Sequence, residues 1–227
     1  NWICSAPLRL EIQESILSDK SNELKEYLSR NRFIHESVQT VLYRCNFDWI
    51  AGNLTENPAI SLFLMNKFVE DHRVEIRTNL SNNVNIPESI QMKLSKDIEP
   101  RVRYHLAENI NLTESIQERL SKDQEAIVRC YLAGNTNLIE SLQEKLNKDE
   151  KEIRWVLAKN PKLTINLQFK ISEDRDSSVR EYLAENLNLF KDVQLKIAKD
   201  SDQSVRKKLA ENPNLCLEAE LLLMNYD

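Results

Sequence analysis

The stretch DIEPRVRYHLAENINLTESIQERLSKD, residues 97–123, contains nearly every pattern that recurs along this chain of 227 residues. Its aspartate, valine-arginine pair, leucine-alanine pair and asparagine return every 26 residues, with a single spacing of 25. A period of this length is typical of repeat proteins, in which each repeat is one small structural unit. The sequence therefore predicts a stack of repeats.

Two short helices are predicted in each repeat. The first, helix A, carries an aliphatic residue and then leucine four positions later, as in Val102 and Leu106, followed by a small residue such as Ala107. Apolar residues four apart lie on one side of a helix, and a small residue lets neighbouring helices approach closely. The second, helix B, has the same spacing at Leu112 and Ile116. Helices of about ten residues are unstable alone in water, so each repeat must be held by its neighbours.

The pattern predicts one all-α solenoid over residues 1–227. Residues 1–19 carry only a helix B pattern and form a partial repeat. The full repeats are residues 20–45, 46–71, 72–97, 98–123, 124–149, 150–174, 175–200 and 201–227. The last helix B is strongly apolar, and solenoids need polar ends. We therefore expect modified caps, a contact with a partner or a second copy through this helix, or a longer protein, and we favour the last.

Composition limits the classes of function. The formal net charge of −5 and the pI of about 5.5 give no overall positive field of the kind that drives non-specific nucleic-acid binding. The four cysteines are far apart and form no CxxC pair, which predicts free thiols and neither a metal site nor a cofactor. No apolar run reaches membrane-spanning length, and the start of the sequence lacks the charged-then-apolar pattern of a signal segment, although a chain without an initiator Met is also compatible with a leader that has been removed. We expect a cytoplasmic protein without a membrane partner.

Polar residues also recur at fixed positions. An asparagine separates helix A from helix B in all eight repeats, and an aspartate followed by an arginine marks most junctions before helix A. We expect the asparagine to adopt the left-handed conformation that ends helices and to bond turn backbone, including that of the next repeat. We expect the aspartate to cap helix A and the arginine to join a charged ladder between repeats. These structural ladders include Asp97, Arg103, Asn109, Asp123, Arg129, Asn135, Asn160, Arg180, Asn186, Arg206 and Asn212.

A glutamine lies beside the apolar stripe of helix B in most repeats, and Met65 interrupts this column. Buried amides need hydrogen-bond partners, so we predict an amide ladder between repeats in preference to a ligand site. The column consists of Gln13, Gln39, Gln91, Gln117, Gln143, Gln168 and Gln194.

Positions that differ between repeats are better candidates for function. The middle repeats carry an aromatic cluster on helix A, namely Tyr104, His105, Tyr131, Trp155 and Tyr182. Tyrosine and tryptophan on a surface are typical anchors for a protein partner. In the alternative interpretation these rings flank the core between repeats and are half-buried, and the sequence leaves both open.

A basic residue recurs on helix B, at Lys67, Lys93, Arg119, Lys145, Lys170 and Lys196. In a stack these side chains would form a stripe able to track phosphates, which is the basis of an alternative nucleic-acid-binding or DNA-repair function. Glutamates share the same helices, for example Glu118 and Glu144, and would neutralise much of the stripe. A mixed, solvated face is therefore the favoured interpretation.

The pattern carried by Asp97, Val102, Arg103 and the equivalent residues of other repeats resembles the variant leucine-rich repeat family of bacterial proteins and is similar to HEAT repeats. The resemblance covers nearly the whole chain. It implies a right-handed helical superhelix and assigns no catalytic residue.

We expect a non-catalytic scaffold that binds a protein or peptide on its concave surface. The three histidines lack the regular partners of a catalytic triad, and no glycine-rich phosphate loop is present. A small-molecule enzyme on such a scaffold would first require a deep apolar pocket.

Overall fold

The computed structural model describes residues 2–225, and these form eighteen helices and no strand. Helices B pack on the helices A that follow them, and successive helices A pack against each other within each of the two compact units given below. The all-α prediction and the solenoid of two-helix repeats are confirmed. The chain divides into two compact units, Asn1–Asn111 and Leu112–Asp227. The expected single domain over residues 1–227 stays a prediction.

The first unit contains nine helices in its described residues. Its helices A are α1 (Trp2–Ser5), α3 (Asn22–Ser29), α5 (Asp48–Glu56), α7 (Val74–Asn82) and α9 (Pro100–Glu108). Its helices B are α2 (Leu10–Ser18), α4 (Glu36–Arg44), α6 (Leu62–Phe68) and α8 (Glu88–Leu94). The expectation that residues 1–19 hold only a helix B is wrong, since α1 packs on α3 and buries Ile3 as a shortened helix A does.

The second unit also contains nine helices in the part that the structure describes. Its helices B are α10 (Glu114–Leu120), α12 (Glu140–Leu146), α14 (Ile165–Ile171), α16 (Lys191–Ile197) and α18 (Leu217–Leu223). Its helices A are α11 (Ala126–Gly134), α13 (Lys151–Ala158), α15 (Ser177–Ala184) and α17 (Gln203–Ala210).

The predicted apolar columns form the core of both units. Val102 and Leu106 of α9 are fully buried, as are Val179 and Leu183 of α15. Burying one such side chain contributes about 1.5–3 kcal/mol, which short isolated helices cannot gain. Within each unit, helices A pack more closely on one another than helices B do. The small residue after the leucine, such as Ala184, is fully buried where helices A meet.

The asparagine after helix A ties each repeat to the preceding one. Asn186 Nδ2 donates to the backbone oxygens of Ala158 and Asn160, at 2.8 and 2.9 Å. Its Oδ1 accepts the N–H of Asn188 at 2.9 Å. The donor bonds recur at 2.8–3.2 Å for Asn57, Asn83, Asn109, Asn160 and Asn212. In the second unit, Asn135 Oδ1 accepts the N–H of Asn137 at 2.8 Å.

The expected left-handed asparagine is wrong. Asn109 has φ −64° and ψ 120°, and Asn135 has φ −65° and ψ 123°, both extended. An extended residue here lets Oδ1 accept the N–H two residues on while Nδ2 reaches back. The amide bonds therefore set the turn, and no positive φ is needed to end helix A.

A second asparagine, two residues later, forms a parallel ladder that the sequence analysis did not predict. Its Nδ2 donates to the backbone oxygen of the residue that follows the first asparagine of the preceding repeat. These bonds measure 2.8–3.2 Å and are made by Asn85, Asn111, Asn188 and Asn214.

The glutamine of helix B ties each repeat to the following one. Gln194 Nε2 donates to the backbone oxygens of Leu189 and Asn214, each at 3.1 Å. Its Oε1 accepts the N–H of Cys216 at 2.7 Å. All three bonds recur for Gln13, Gln39, Gln117, Gln143 and Gln168. The partners are backbone groups of turns, so the ladder does not run from one glutamine amide to the next.

Met65 and Pro87 are linked exceptions. Elsewhere the glutamine Oε1 accepts an N–H from the start of the next helix B, as Gln39 does from Ser61 at 2.8 Å. The residue equivalent to Ser61 in the following repeat is Pro87, which has no N–H to donate. The glutamine that would face it is replaced by Met65, which is buried. One structural change thus explains both departures from the pattern.

Arginine and aspartate join consecutive repeats at the opposite turn. Arg154 Nε and Nη2 donate to the carboxylate of Asp174 at 2.7 and 3.0 Å, and both side chains are about nine-tenths buried. Arg154 Nη1 also donates to the backbone oxygen of Asp149 at 2.8 Å. Bidentate pairs of this kind are strong, and removing one partner of a buried pair typically costs about 3–5 kcal/mol. The same pairs join Arg77 to Asp97, Arg129 to Asp149 and Arg180 to Asp200.

The arginines also bond the backbone of their own repeat. Arg103 Nη1 donates to the oxygen of Asp97, and Arg206 Nη1 donates to the oxygen of Asp200, at 2.8 and 2.7 Å. The arginine column therefore fixes the turn before helix A.

The aspartate does not cap helix A as expected. Asp97 lies two residues before the N-cap residue Glu99 of α9, and its Oδ1 accepts the Glu99 N–H at 3.0 Å. Asp123 does the same for the N–H of Glu125 at 3.0 Å. Because the turn and the arginine engage this carboxylate, it is not directed at the first-turn N–H groups. Side-chain caps are supplied two residues after the aspartate, by residues such as Ser21, Asp176 and Asp202.

The degenerate repeats compensate for what they lack. Ala51 occupies the arginine position that would serve Asp71, and Arg73 takes its place by donating from Nε and Nη2 to that carboxylate at 2.9 and 2.7 Å. One repeat earlier, Lys25 and Cys45 replace the arginine and the aspartate together.

Candidate functional site

The outward face of helices A carries no residue of the polar ladders, and its side chains differ from repeat to repeat. In the second unit this face, here called the A surface, carries Ile127, Cys130 and Tyr131 on α11, Trp155 and Val156 on α13, Glu181 and Tyr182 on α15, and Lys207 and Lys208 on α17. Tyr131, Trp155 and Tyr182 are each half-buried. Their rings are thus packed on the repeat and still present area to solvent, so both interpretations of the aromatic cluster describe part of their environment.

Trp155 and Tyr182 form a pair across neighbouring helices. Their ring centroids lie 5.8 Å apart with the planes inclined at 38°. Two lysine amines lie over these rings, with Lys151 Nζ 5.3 Å from the Trp155 centroid and Lys159 Nζ 4.5 Å from the Tyr182 centroid. Both distances are within the range of cation–π attraction. The aromatic faces on this surface therefore already bind cations from the same chain.

Two carboxylates flank the ring pair and differ in their partners, Glu181 on α15 and Glu185 at the C-cap of the same helix. Glu185 lies between Lys159 and Lys208, at 2.6 and 3.2 Å. Burial alone would raise the pKa of Glu185, but the hydrogen bonds from both lysines outweigh it and lower the pKa. Glu181 accepts a hydrogen bond from Ser204 Oγ at 2.8 Å, and no basic side chain in residues 2–225 pairs with it. One carboxylate is neutralised twice and the other keeps its charge uncompensated.

A depression of about 240 Å³ opens between these groups. It is lined by Trp155, Ser178, Glu181, Tyr182, Glu185 and Lys208. The Trp155 Nε1–H is buried and donates to no group in the described part of the chain. The site thus combines two aromatic rings, an uncompensated carboxylate and an unsatisfied donor.

The other two members of the predicted cluster belong to the first unit. Tyr104 and His105 are neighbours on α9, with ring centroids 4.6 Å apart, and both are half-buried. His105 Nδ1 lies 3.3 Å from a carboxylate oxygen of Glu108. A stacked pair that the sequence analysis missed lies in the same unit, where Phe47 and Trp49 have centroids 5.3 Å apart and are both exposed. The sequence feature that could have revealed this pair is Trp49, which lies at an outward position of helix A.

Glutamates pair with much of the basic column. In the first unit, Lys93 Nζ lies 3.4 Å from Glu70. In the second unit, Lys170 Nζ lies 2.6 Å from Glu144, and Lys196 pairs with Glu173. These contacts join neighbouring repeats, and they reduce the positive potential that a phosphate backbone would meet.

The other members of the column have other surroundings. Lys67 Nζ lies 5.7 Å from the ring centroid of Phe63. Lys145 Nζ donates to Ser121 Oγ at 2.9 Å, and burial together with the charge on Lys122 lowers the pKa of the Lys145 amine. Arg119 is exposed on α10.

Two further features of the second unit bear on function. A depression of about 650 Å³ is lined by charged and polar side chains that include Asp174, Arg180, Lys196 and Asp200, unlike the deep apolar pocket that a small-molecule enzyme would require. On α18, Leu217 and Leu221 are 65% and 52% exposed, which leaves self-association through this helix a prediction.

Among the described residues, no group of three or more His, Cys, Asp or Glu side chains could hold a metal ion. No helix among residues 2–225 is long and apolar enough to cross a membrane. The four cysteines are free and half-buried.

A scan against protein-family models gave no match, and a search of curated proteins gave none either. Among solved structures, the chain is similar to a leucine-rich repeat variant with a novel repetitive structural motif. The TM-score is 0.58 at 18% sequence identity, and the alignment covers 92% of this chain and 87% of the other. The chain has the fold of a leucine-rich repeat variant. At this identity the likeness shows the fold alone, so the chemistry of this leucine-rich repeat variant fold must be judged from the side chains of its A surface.

Proposed function

We propose that the protein is a non-catalytic scaffold that binds a protein or peptide through the A surface of its second unit. The observation that carries the proposal is the half-buried ring pair of Trp155 and Tyr182 beside the depression of about 240 Å³. Aromatic side chains that are packed on one side and accessible on the other are the usual anchors of protein interfaces, because they bury large area at a small entropic cost.

The distribution of roles within the repeat supports this proposal. The recurring asparagines, glutamines and arginines are engaged in bonds between repeats, so their regularity has a structural cause. Equivalent positions of the A surface differ in chemistry between repeats of the second unit, as Cys130, Trp155, Glu181 and Lys207 do at one position. A surface that varies on a constant frame is suited to recognise one particular partner.

Nucleic-acid binding by the basic column is less well supported. Lys93, Lys170 and Lys196 each pair with a glutamate, and a phosphate contact would have to break those pairs. Binding of duplex DNA at about 50 mM salt that weakens steeply as salt is added would favour this alternative.

A peptide selection tests the proposed function. The full chain would be used to select binders from a displayed random peptide library, and each binder would be titrated against Trp155→Ala and Tyr182→Ala. We expect each substitution to weaken binding about tenfold or more, as for an interface anchor. Phe190→Ala is the matched control, because Phe190 is an exposed aromatic residue on the opposite helix layer of the same unit. Binders that lose affinity equally with all three variants, or with none, would contradict the proposal.

A further inference from the structure

We propose that the depression beside Trp155 and Tyr182 receives an arginine side chain of the partner. This inference rests on the proposed function, because it names the chemistry of the residue that the A surface recognises. The carrying observation is the juxtaposition of two aromatic faces with the uncompensated carboxylate of Glu181.

Charge selects a cationic group. Two carboxylates, Glu181 and Glu185, and one amine, Lys208, line the depression. Glu185 is held by Lys159 and Lys208, whereas Glu181 receives only the hydroxyl of Ser204. An entering cation therefore gains an ion pair with Glu181 and breaks none. An acidic side chain would meet the same carboxylate and be repelled.

The aromatic faces select the same charge. Lys151 and Lys159 already lie over Trp155 and Tyr182, at 5.3 and 4.5 Å from the ring centroids. These internal contacts show that both ring faces are oriented so that a cation can approach them. A cation from a partner would add to this arrangement.

Shape distinguishes arginine from lysine. A guanidinium group is planar, so it can stack on a ring and direct two parallel N–H groups at a carboxylate in the same plane. An ammonium group is compact and strongly hydrated, and it makes no such paired contact. The volume of about 240 Å³ is below the range of about 300–1,000 Å³ for sites of drug-sized ligands, which suits one side chain.

The indole N–H of Trp155 supplies a direct readout. It is buried and has no acceptor in the described chain, so its proton and nitrogen NMR frequencies will respond to a charge placed against the ring. The chain has three tryptophans, and Trp155→Phe assigns the Trp155 signal by its loss. The probes are N-acetylarginine amide, N-acetyllysine amide and N-acetylcitrulline amide, the last having nearly the shape of arginine without its charge.

We expect N-acetylarginine amide to shift the Trp155 indole signal in a saturable way and to bind several-fold more tightly than the lysine probe. The citrulline probe should bind about tenfold more weakly, because it forms no charged pair with Glu181. Glu181→Gln should weaken arginine binding by a similar factor. Glu140→Gln, which removes an exposed carboxylate from α12 of the same unit, should leave binding unchanged.

Equal binding of the arginine and citrulline probes, or unchanged arginine binding in Glu181→Gln, would overturn this inference. The comparison of probes on the unsubstituted chain holds even if Glu181→Gln disturbs folding. The peptide selection distinguishes failure of this inference from failure of the proposed function. Selected peptides whose binding needs Trp155 and Tyr182 but no arginine of their own would contradict only the arginine site. Selected peptides whose binding needs neither Trp155 nor Tyr182 would contradict the binding surface itself.

Discussion

At Met65 and Pro87, the glutamine side chain and the backbone N–H that it would accept are both absent. This pair of exceptions predicts the effect of replacing a glutamine by methionine where that N–H is still present. Gln39 lies one repeat earlier in the same unit and is 1% exposed. Its Nε2 donates to the backbone oxygens of Ile34 and Ala59 at 3.2 and 2.8 Å, and its Oε1 accepts the N–H of Ser61 at 2.8 Å. Gln39→Met fills the same space and makes none of these bonds.

The magnitude follows from the groups left behind. Gln39→Met removes the side-chain partner of the Ile34 and Ala59 oxygens and of the Ser61 N–H. A buried polar group without a partner costs about 1–3 kcal/mol. Ala59 and Ser61 are only partly buried, so water can reach them in part. We therefore expect the free energy of unfolding to fall by about 3 kcal/mol, the lower end of the range for three such groups.

A second substitution tests the cause. Ser61→Pro is compatible with the backbone, since Ser61 has φ −71°, and it removes the N–H that Gln39→Met would leave unpaired. As a single substitution, Ser61→Pro removes the side-chain cap that Ser61 provides for α6 and leaves the Gln39 Oε1 without a hydrogen-bond donor. In the double variant the donor and the acceptor disappear together, as they do at Met65 and Pro87. The double variant should therefore be about 1 kcal/mol more stable than the sum of the single effects.

Urea unfolding followed by circular dichroism measures the stability of the unsubstituted chain, the two single variants and the double variant. Lys67→Met on the exposed face of α6 is the control for a methionine placed without loss of a buried bond, and it should change stability by less than about 0.5 kcal/mol. Strict additivity of Gln39→Met and Ser61→Pro would refute the argument, because it would mean that the glutamine and the N–H do not depend on each other.

Three further outcomes are expected. Thr78 has a buried hydroxyl without a partner in the described chain, so Thr78→Val should raise the free energy of unfolding by about 1 kcal/mol. Thr55→Val is the control and should lower the free energy of unfolding by about as much, because the Thr55 hydroxyl donates to a backbone oxygen at 2.7 Å. Burial would raise the pKa of the Asp174 carboxyl, but the hydrogen bonds from Arg154 and the backbone outweigh it and lower the pKa. The ionised carboxylate therefore stabilises the fold fully at neutral pH, and this stabilisation is lost as the pH falls below about 4. In acid unfolding curves, Asp174→Asn should reduce the loss of stability over that range. Burial raises the pKa of the Cys130 thiol, so iodoacetamide should modify Cys130 more slowly than glutathione at pH 7, and an equal or faster rate would show that the thiolate is accessible.

The sequence predicted the helices and their apolar columns because period and hydrophobic spacing are local signals. It did not predict the direction of the polar ladders, since a side chain at one repeat gives no sign of which neighbour it reaches. Asn109 was assigned a left-handed turn from its intrinsic tolerance, whereas bonds to the preceding repeat hold it extended. Asp97 was assigned as a helix cap from its position, but the arginine of another repeat engages its carboxylate.

The candidate site was only partly accessible from sequence. Tyr131, Trp155 and Tyr182 stood out because they vary where other columns are constant, and they do lie on one helix layer of the second unit. Glu181 did not stand out among many glutamates. What distinguishes Glu181 is the lack of a basic partner beside Trp155, and that depends on the placement of lysines from α13 and its C-cap and from α17.

The opposite reach of the two amide ladders affects how such a chain can change in length. Between repeats, Asn186 bonds only backward and Gln168 bonds only forward, so the two residues hold the same junction from both sides. Duplicating or deleting a whole repeat of the regular pattern joins a forward-reaching amide to a backward-reaching one, and neither amide is left without its partners. Gene duplication can therefore extend this frame, and recombination between repeats can shuffle A-surface side chains into new binding faces, while the register of the stack is preserved.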